Sequence, residues 1–435
     1  MSTKMKVCKF GGTSMANAET IAKVAEIIKT DKSRKFVVVS APGKRRPSDT
    51  KVTDLLYACA DSKDFDEALS KVKERFDDII KESKIKLKLD YTMTKKDTRE
   101  YLASRGEYLA GKVMAQILGY EFIDAAEIIK FDSKGNFLAE VTHNLCKKRF
   151  AKVKTGAVIP GFYGSDDKGD IKTFSRGGSD VTGAIIARAI DAEVYENWTD
   201  VDGFLKCDPR IVDSPKLIDM LTYKELRELS YMGANVLHPE AIFPVRASDI
   251  SINIRNTFNP KHEGTMIVPT KFFERGDYKR ETATITGIAG KKDFVAINVE
   301  KSMMNNEVGF ARRLLQVLED DGVSVEHMPT GIDTICVVID RAQFAKSSIQ
   351  KVVDDVKKVC KPDRVTVVED IALIAVVGHG MTARKGTAAD VCGALADADV
   401  NIRMIDQGSS ELNIIVAVDN KDFETALKAL YGKLG

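Results

Sequence analysis

Lys9-Phe10-Gly11-Gly12-Thr13-Ser14 closes an apolar opening strand, Met5 to Phe10. About 165 residues further on, Ser175-Arg176-Gly177-Gly178-Ser179-Asp180 sets a second cation beside a second glycine pair. Adjacent glycines let backbone N–H groups approach an anion that a Cβ would hold away. Both loops run into helix-forming sequence, whose first-turn N–H groups and dipole favour negative charge. The pattern points to a polyphosphate ligand. In the common P-loop the lysine ends the glycine stretch as Gly-Lys-Ser/Thr, whereas here it precedes the glycines on the strand, so a different nucleotide fold is implied.

Outward from the first loop, strand-like and helix-like runs alternate up to about residue 270. Phe36 to Ser40, Ala157 to Pro160, Glu193 to Trp198 and Ser251 to Ile254 are short and apolar. The alternation predicts an α/β domain built on a mainly parallel sheet covered by helices. In the first helix Ile21, Val24, Ala25 and Ile28 form one buried stripe, with Asn17 as its cap. Arg99 to Leu118 reads as a long helix and Asp64 to Glu82 as a charged surface helix. Ala41-Pro42-Gly43-Lys44-Arg45-Arg46-Pro47-Ser48-Asp49 has turn chemistry and basic charge without periodicity, which predicts a mobile loop near the active site.

At 435 residues the chain exceeds one core and fits about three domains. With 66 basic against 64 acidic residues, net +2, no global field draws it to nucleic acid or an anionic membrane. The start lacks a signal-peptide apolar region and no apolar run approaches the ~18 residues that span a bilayer, so a cytoplasmic protein is expected. The seven cysteines are scattered without a Cys-x-x-Cys pair or histidines at metal spacing, and read as reduced, mostly buried thiols.

Beyond about residue 280 the chain repeats itself at a shift of 77: Ile297 falls on Ile374, Met304 on Met381, Gly309 on Gly386, Ala311 on Ala388, Leu318 on Leu395 and Gly331 on Gly408. Each unit reads strand, glycine-containing loop, helix, strand, turn, strand, with Phe294 to Val299, Gly309 to Asp321, Val323 to Met328 and Thr334 to Ile339 in the first. Two βαββ-type modules therefore follow the α/β domain. A small sheet with helices on one face leaves its other face or edge to pair, so an oligomer is expected.

Several side chains carry candidate chemistry. An ammonium at Lys9 suits the β- and γ-phosphates, and Arg176 suits bidentate capture of a carboxylate. Asp180, opening the next helix, would fix Lys9 or order a metal-bound water. Ser104-Arg105-Gly106-Glu107 interrupts a helix with glycine, which costs ~1 kcal/mol against alanine and implies a close approach there. Glu107 would then grip a substrate ammonium. Trp198-Thr199-Asp200-Val201-Asp202-Gly203 ends a strand with two carboxylates, where α/β sheets bind ligands, and Arg210 follows as a second guanidinium for phosphate. The 233–241 loop would cover base or phosphate, with His238 a structural hydrogen bonder.

Lys-Phe-Gly-Gly-Thr-Ser, Ser-Arg-Gly-Glu, Arg-Gly-Gly-Ser-Asp, Trp-Thr-Asp-Val-Asp-Gly and Gly-Ala-x-Val-Leu-His-Pro occur in the order found in the aspartate kinases, which the whole chain resembles. The resemblance implies a three-layer amino-acid-kinase (carbamate-kinase-like) domain over 1–280 and two α+β ferredoxin-like ACT domains, 281–367 and 368–435. Residues near 281–291 are left open to pairing with the second. It implies ATP-dependent phosphorylation, with Mg²⁺, of the β-carboxylate of L-aspartate, the first step toward lysine, threonine and methionine. Carried over by residue, it places Lys9 and Asp180 at the transfer site and Gly11, Gly12 and Ser40 near the phosphates. Thr53, Glu107, Arg176 and Ser179 would hold aspartate, and Thr199, Asp200 and Arg210 would face the nucleotide. It also places an amino-acid effector, lysine alone or with threonine, among Met304, Glu307, Phe310, Ala311, Ser324, Val325 and Glu326 of a dimer or tetramer.

Two positions depart from the family pattern: Leu205 stands where a tyrosine is frequent and Asn235 where a lysine is frequent, which puts nucleotide contacts there in question. The alternatives are a glutamate or acetylglutamate kinase of the same fold, or a non-catalytic ACT amino-acid sensor. Fusion to a homoserine dehydrogenase is not expected.

Overall fold

The opening strand forms where the apolar run places it, as β1 (Lys6–Phe10), and it is the spine of the first of two compact units. The computed structural model describes residues 5–61, 65–175, 177–234, 237, 242–271, 284–345 and 347–435. The strands that follow are β2 (Arg34–Val39), β3 (Glu121–Phe122), β4 (Ala157–Pro160), the hairpin β5 (Tyr163–Ser165) with β6 (Ile171–Thr173), β7 (Val194–Thr199), β8 (Met220–Thr222), β9 (Ser251–Asn256) and β10 (Thr265–Val268). All but the hairpin join one eight-stranded sheet in the order β3-β4-β2-β1-β7-β9-β10-β8, parallel throughout except where β10 meets β9. The connection from β1 runs to one side and β7 lies on the other, so the order reverses at the carboxyl ends of β1 and β7. Open α/β sheets bind ligands at such a point.

Helices cover both faces. The Ala18–Lys29 helix starts at Asn17, whose side chain accepts from the Thr20 N–H at 2.9 Å while Thr20 closes the reciprocal capping bond. The Arg99–Leu118 helix is capped by Thr98 and ends at Gly119 in the left-handed region. Together with the helices Val52–Asp61 and Phe65–Glu82 these pack on Cys8, Phe10, Val37, Val39 and Trp198. The Phe65–Glu82 helix is thus amphipathic rather than a plain surface helix: Phe65, Leu69, Val72, Phe76 and Ile79 recur at helical spacing and are buried. On the opposite face the Gly178–Ala189 helix rests on β1, β2 and β7.

Beneath the central strands lies a buried charge network that links four of them. Glu196 of β7 accepts from Arg34 of β2 at 2.8 and 3.1 Å, from the Trp198 indole at 3.0 Å and from the Cys8 thiol at 3.4 Å. Arg34 also donates to the Ile27 carbonyl at 2.6 Å, and its guanidinium and that of Arg255 on β9 stand 5.2 and 4.7 Å from the Trp198 ring. Burial pushes the Glu196 carboxyl upward, but the hydrogen bonds and charge of Arg34, with help from Lys6 and Trp198, outweigh it and hold it below the usual range.

The second unit comprises Glu281–Gly435 with Leu205–Lys216 and Tyr231–Ala234. The first of these excursions joins it because Cys207 and Val212 are buried in its hydrophobic core. Its five-stranded sheet runs β12 (Thr334–Asp340), β11 (Gly287–Glu300), β13 (Arg364–Val377), β15 (Asn413–Asp419), β14 (Met404–Asp406). The repeat is visible in the backbone: the helices Phe310–Asp320 and Thr387–Asp397 are 77 residues apart at both ends, each entered through a left-handed glycine, Gly309 or Gly386. Two 14-residue strands, β11 and β13, cross both repeats. Residues 287–291 of β11 pair with 373–377, and residues 294–300 pair with β12 and with the first half of β13. Asp293 and Asp370, also 77 apart, take positive φ where the register breaks. The expected strand Val323 to Met328 is held to β12 through Glu326 N–H to Val338 O and Val338 N–H to His327 O, too few bonds to form a regular ladder.

Removing one partner of the Arg34–Glu196 pair strands the other inside the sheet. Glu196→Ala is expected to lower stability by about 3–5 kcal/mol, with Glu196→Leu/Arg34→Leu recovering much of it. Urea denaturation followed by fluorescence of Trp198, the chain's one tryptophan, measures both. A loss below about 1 kcal/mol for Glu196→Ala would show the network to be dispensable.

Candidate active site

The parallel register of β1 and β7 decides where the first glycine loop goes. Gly11 N–H donates to Trp198 O at 3.1 Å and Ser40 N–H to Phe10 O at 3.1 Å, so the loop is clamped between the carboxyl ends of β7 and β2. Thr13 Oγ1 donates to Asp200 at 3.0 Å, and Asp200 also accepts from Thr199 at 3.2 Å. Lys9, the penultimate residue of β1, points at the amino end of the Gly178–Ala189 helix. Its Nζ lies 2.5 Å from Asp180 Oδ1, and both side chains are mostly buried. Asn197 of β7 donates its amide to the same Asp180 oxygen at 2.8 Å. Ser179, buried beside Asp180, packs against Gly161 at the end of β4.

Next to this pair opens a cavity of about 470 Å³ lined by Gly12, Ser40, Gly43, Lys51, Thr53 and Glu107, together with the basic loop. Glu107 reaches it because Gly106 lets the Arg99–Leu118 helix touch the loop: a Cβ at 106 would stand 2.7 Å from the Ala41 Cβ. Glu107 is buried, accepts from the Ala41 backbone N–H, and leaves Oε2 with no hydrogen-bond partner. Burial pushes its carboxyl up to about 8 against the lowering effect of that backbone bond. An orphaned, buried carboxylate facing a cavity fits a ligand ammonium. The basic loop is anchored at its two ends, with residues 44–48 exposed between the anchors. Arg75, itself buried, donates to Gly43 O at 2.8 Å, to Thr50 O at 3.1 Å and to Asp49, and Gly43 N–H donates to Gly12 O at 2.8 Å.

Residues 4–256 match the amino acid kinase family, and residues 374–434 match an ACT domain. The chain is 38% identical to Aspartokinase 3 of Bacillus subtilis (strain 168) over 98% of both sequences. The chain belongs to the aspartokinases. A crystal structure of the Clostridium acetobutylicum aspartate kinase, described as an allosteric enzyme, superposes with a TM-score of 0.91 at 48% identity, covering 99% of this chain and all of that one. E. coli aspartokinase III in complex with aspartate and ADP shares the fold, with a TM-score of 0.74 at 24% identity over 99% of this chain and 100% of that chain.

Within this kinase, the described geometry brings Lys9, Gly11, Gly12, Ser40, Thr53, Glu107, Ser179 and Asp180 to the carboxyl ends of β1, β2 and β4 and the adjoining helix starts, with Thr199 and Asp200 at the end of β7. Arg176, Asn235 and His238 lie outside the described residues. Arg210 belongs to the second unit, and its exposed guanidinium is held by Asp208 at 2.6 Å. Leu205 also falls in that unit. Sequence reasoning missed Asn197 and Tyr195. The available signal was a second polar residue, beside Glu196, inside a short strand.

In the second unit, Met304 and Phe310 are buried in one hydrophobic core, with Ala311 and Val325 packed against it. Glu307 does not wait for a cation. Lys301 at 2.5 Å and Arg313 already pair with it and hold its carboxyl below the usual range, the Lys301 hydrogen bond most of all. Glu326 accepts from the Tyr231 hydroxyl, and its carboxyl is pushed up by burial and then by Asp340.

The folded state binds a proton at Glu107 more tightly than the unfolded chain does. Wild-type stability is therefore expected to fall, relative to Glu107→Gln, as pH rises from about 5 to 8, since the native state then binds the extra proton that the unfolded state has released. Denaturation curves of the two proteins across that range test the sign, and parallel curves would show Glu107 to be solvated.

Proposed function

We propose that the chain transfers the γ-phosphoryl group of ATP to the β-carboxylate of L-aspartate, giving 4-phospho-L-aspartate, with residues 1–280 as the catalytic portion and 281–367 and 368–435 as two ACT modules. The observation that carries this reading is the placement of the buried Lys9–Asp180 pair under the first glycine loop, beside the cavity that Glu107 faces with an unpartnered oxygen. The aspartokinase relatives support it.

Aspartate's side-chain carboxyl, with pKa near ~4, is ionised at neutral pH, so the nucleophile needs no general base. The difficulty is bringing two anions together. Glu107 takes the substrate ammonium, Thr53, Ser179 and Arg176 take its carboxylates, and Gly11, Gly12 and Ser40 line the phosphate end, where the Gly11 and Ser40 N–H groups are engaged in holding the loop to Trp198 O and Phe10 O. Thr199, Asp200, Arg210 and Asn235 serve the nucleotide. Lys9 offsets the charge that spreads over the moving phosphoryl group, and Asp180 holds Lys9 in place, so catalysis is alignment plus neutralisation.

Mg²⁺ suits this donor set as a companion of the nucleotide. Among the described residues no three His, Cys, Asp or Glu gather as a metal site, and Asp180 offers one hard oxygen, which leaves phosphates and waters as the main ligands. When bound, the ion adds positive charge to the phosphate oxygens.

The ACT modules are read as the regulatory part of a homo-oligomer, dimer or tetramer, that works in the cytoplasm. No helix among the described residues is long and apolar enough to cross a membrane. Lysine, alone or together with threonine, is the proposed effector, bound in the first module among Met304, Glu307, Phe310, Ala311, Ser324, Val325 and Glu326. Because Glu307 is already neutralised, Glu326 is the carboxylate left for the ε-ammonium.

Lys9→Ala is expected to lower kcat at least about 100-fold with the fold intact by circular dichroism, in line with the loss of a preorganised charge. Near-normal turnover in a coupled ATP assay would refute the reading. Lysine is expected to inhibit wild type, and Glu326→Gln to raise the inhibitory concentration about 10-fold, the scale of typical coupling. Activity indifferent to lysine, with and without threonine, would remove the effector assignment.

A further inference from the structure

Asn197 has no part in the reading above, yet it is the most buried amide at the transfer site, 3% exposed. In the parallel ladder it stands directly opposite Lys9, and its neighbour Tyr195 stands opposite Val7. Period-two alternation sends Lys9, Asn197 and Tyr195 to one face of the sheet, under the Gly178–Ala189 helix, while Cys8, Glu196 and Trp198 go to the other. That helix comes very close to β7: a Cβ at Gly183 would stand 2.5 Å from the Tyr195 hydroxyl. Three hydrogen bonds follow from the approach. Asn197 Nδ2 donates to Asp180 Oδ1 at 2.8 Å and to the Tyr195 oxygen at 3.3 Å, and the Tyr195 hydroxyl donates to the Asp180 carbonyl at 3.1 Å.

We propose that Asn197 is a positioning residue for phosphoryl transfer, which, with Tyr195 beneath it, fixes the Asp180 carboxylate in the one orientation that holds the Lys9 ammonium beside the glycine loop. The inference rests on the reading of Lys9 and Asp180 as the transfer site. Its chemistry is specific to an amide. Asp180 Oδ1 receives one charged and one neutral donor, so its rotamer is locked from two sides while only one positive charge is committed to it. A lysine or arginine at 197 would compete with Lys9 for the carboxylate, and an apolar residue would leave Oδ1 with Lys9 alone. Tyr195 adds no charge to the group: burial first, and then the Asp180 charge, pushes its phenol well above the ordinary range, so it stays a neutral donor. The described titratable groups in the cluster are Lys9, Asp180 and Tyr195; Glu196 faces away, bound to Arg34.

Two variants separate positioning from packing. Asn197→Leu keeps the number and branching of the side-chain heavy atoms and removes the donor. Its kcat is expected to fall about 10-fold or more, with the KM values for ATP and aspartate within about twofold of wild type. Asn197→Asp puts two carboxylates within hydrogen-bond reach, where they share one proton rather than ionise together. With that proton, the introduced carboxyl group donates to Asp180 as the amide does. Without it, two negative charges face Lys9. The kcat of Asn197→Asp relative to wild type is therefore expected to fall at least about 10-fold between pH 6 and pH 9 as the shared proton is lost, a dependence that a merely destabilised protein would not show. A kcat within twofold of wild type for Asn197→Leu, or a flat pH ratio for Asn197→Asp, overturns the inference. Lys9→Ala, measured alongside, keeps the two levels distinct. If it is active, the transfer-site reading itself fails. If it is dead while Asn197→Leu is active, only the role of Asn197 falls.

Discussion

Lys9 is held between two neighbouring strands that lie 162 residues apart in sequence at Arg34 and Glu196, and this placement depends on β1 running parallel between β2 and β7. Parallel pairing puts the carboxyl ends of all three strands on one edge, so both the strand that carries Lys9 and the strand that carries Asn197 deliver their side chains to the same place. The same alternation that lifts Lys9 toward Asp180 sends Cys8 down to Glu196. A slip of one residue in the β1–β7 register would exchange the two faces, burying Lys9 in the apolar core and breaking the Arg34–Glu196 network at once. Fold and site are thus fixed by one register, and the charge network under the sheet makes the wrong one costly.

Glu107 illustrates a different balance. A carboxylate buried without a full set of partners costs free energy, and its proton affinity records that cost. The protein keeps it there through Gly106, which sacrifices helix propensity so that Ala41 can pass close enough to donate a backbone N–H. Arg75 completes the support from the other side by pinning the loop at Gly43 and Asp49. The cavity is therefore a place where local rules are broken together, and the loop that lines it is held by an arginine more than 25 residues away in sequence.

That distribution explains what could be read beforehand. Glycine pairs, a lysine at a strand end and an apolar run carry their meaning within a few residues, so β1, β4 and the Arg99–Leu118 helix are legible almost to the residue. The interruption at Gly106 is legible as a close approach, though not what approaches. Arg34, Arg75 and Glu196 are not legible. On the sequence they are ordinary surface charges, and only contacts over 162 and 32 residues make them interior. The basic loop is legible in part: its composition says turn and solvent, as residues 44–48 are, while the arginine that anchors its ends lies on another element. Asn197 is intermediate, a polar residue beside Glu196 in a buried strand, with its partner 17 residues upstream.

The second unit shows how far a repeat can preserve geometry while changing chemistry. Gly309 and Gly386, Asp293 and Asp370, and the two helices they precede keep one spacing because backbone conformation is shared. At the turn before each helix, however, Glu307 of the first module stands where Arg384 stands in the second. Glu307 is paired with Lys301 and Arg313, and Arg384 with Asp390 at 2.8 Å. Equivalent loops are therefore neutralised with opposite polarity. The charged residue at this turn has changed sign and its partners have changed with it, so duplication of the fold has kept the backbone and not the side-chain chemistry.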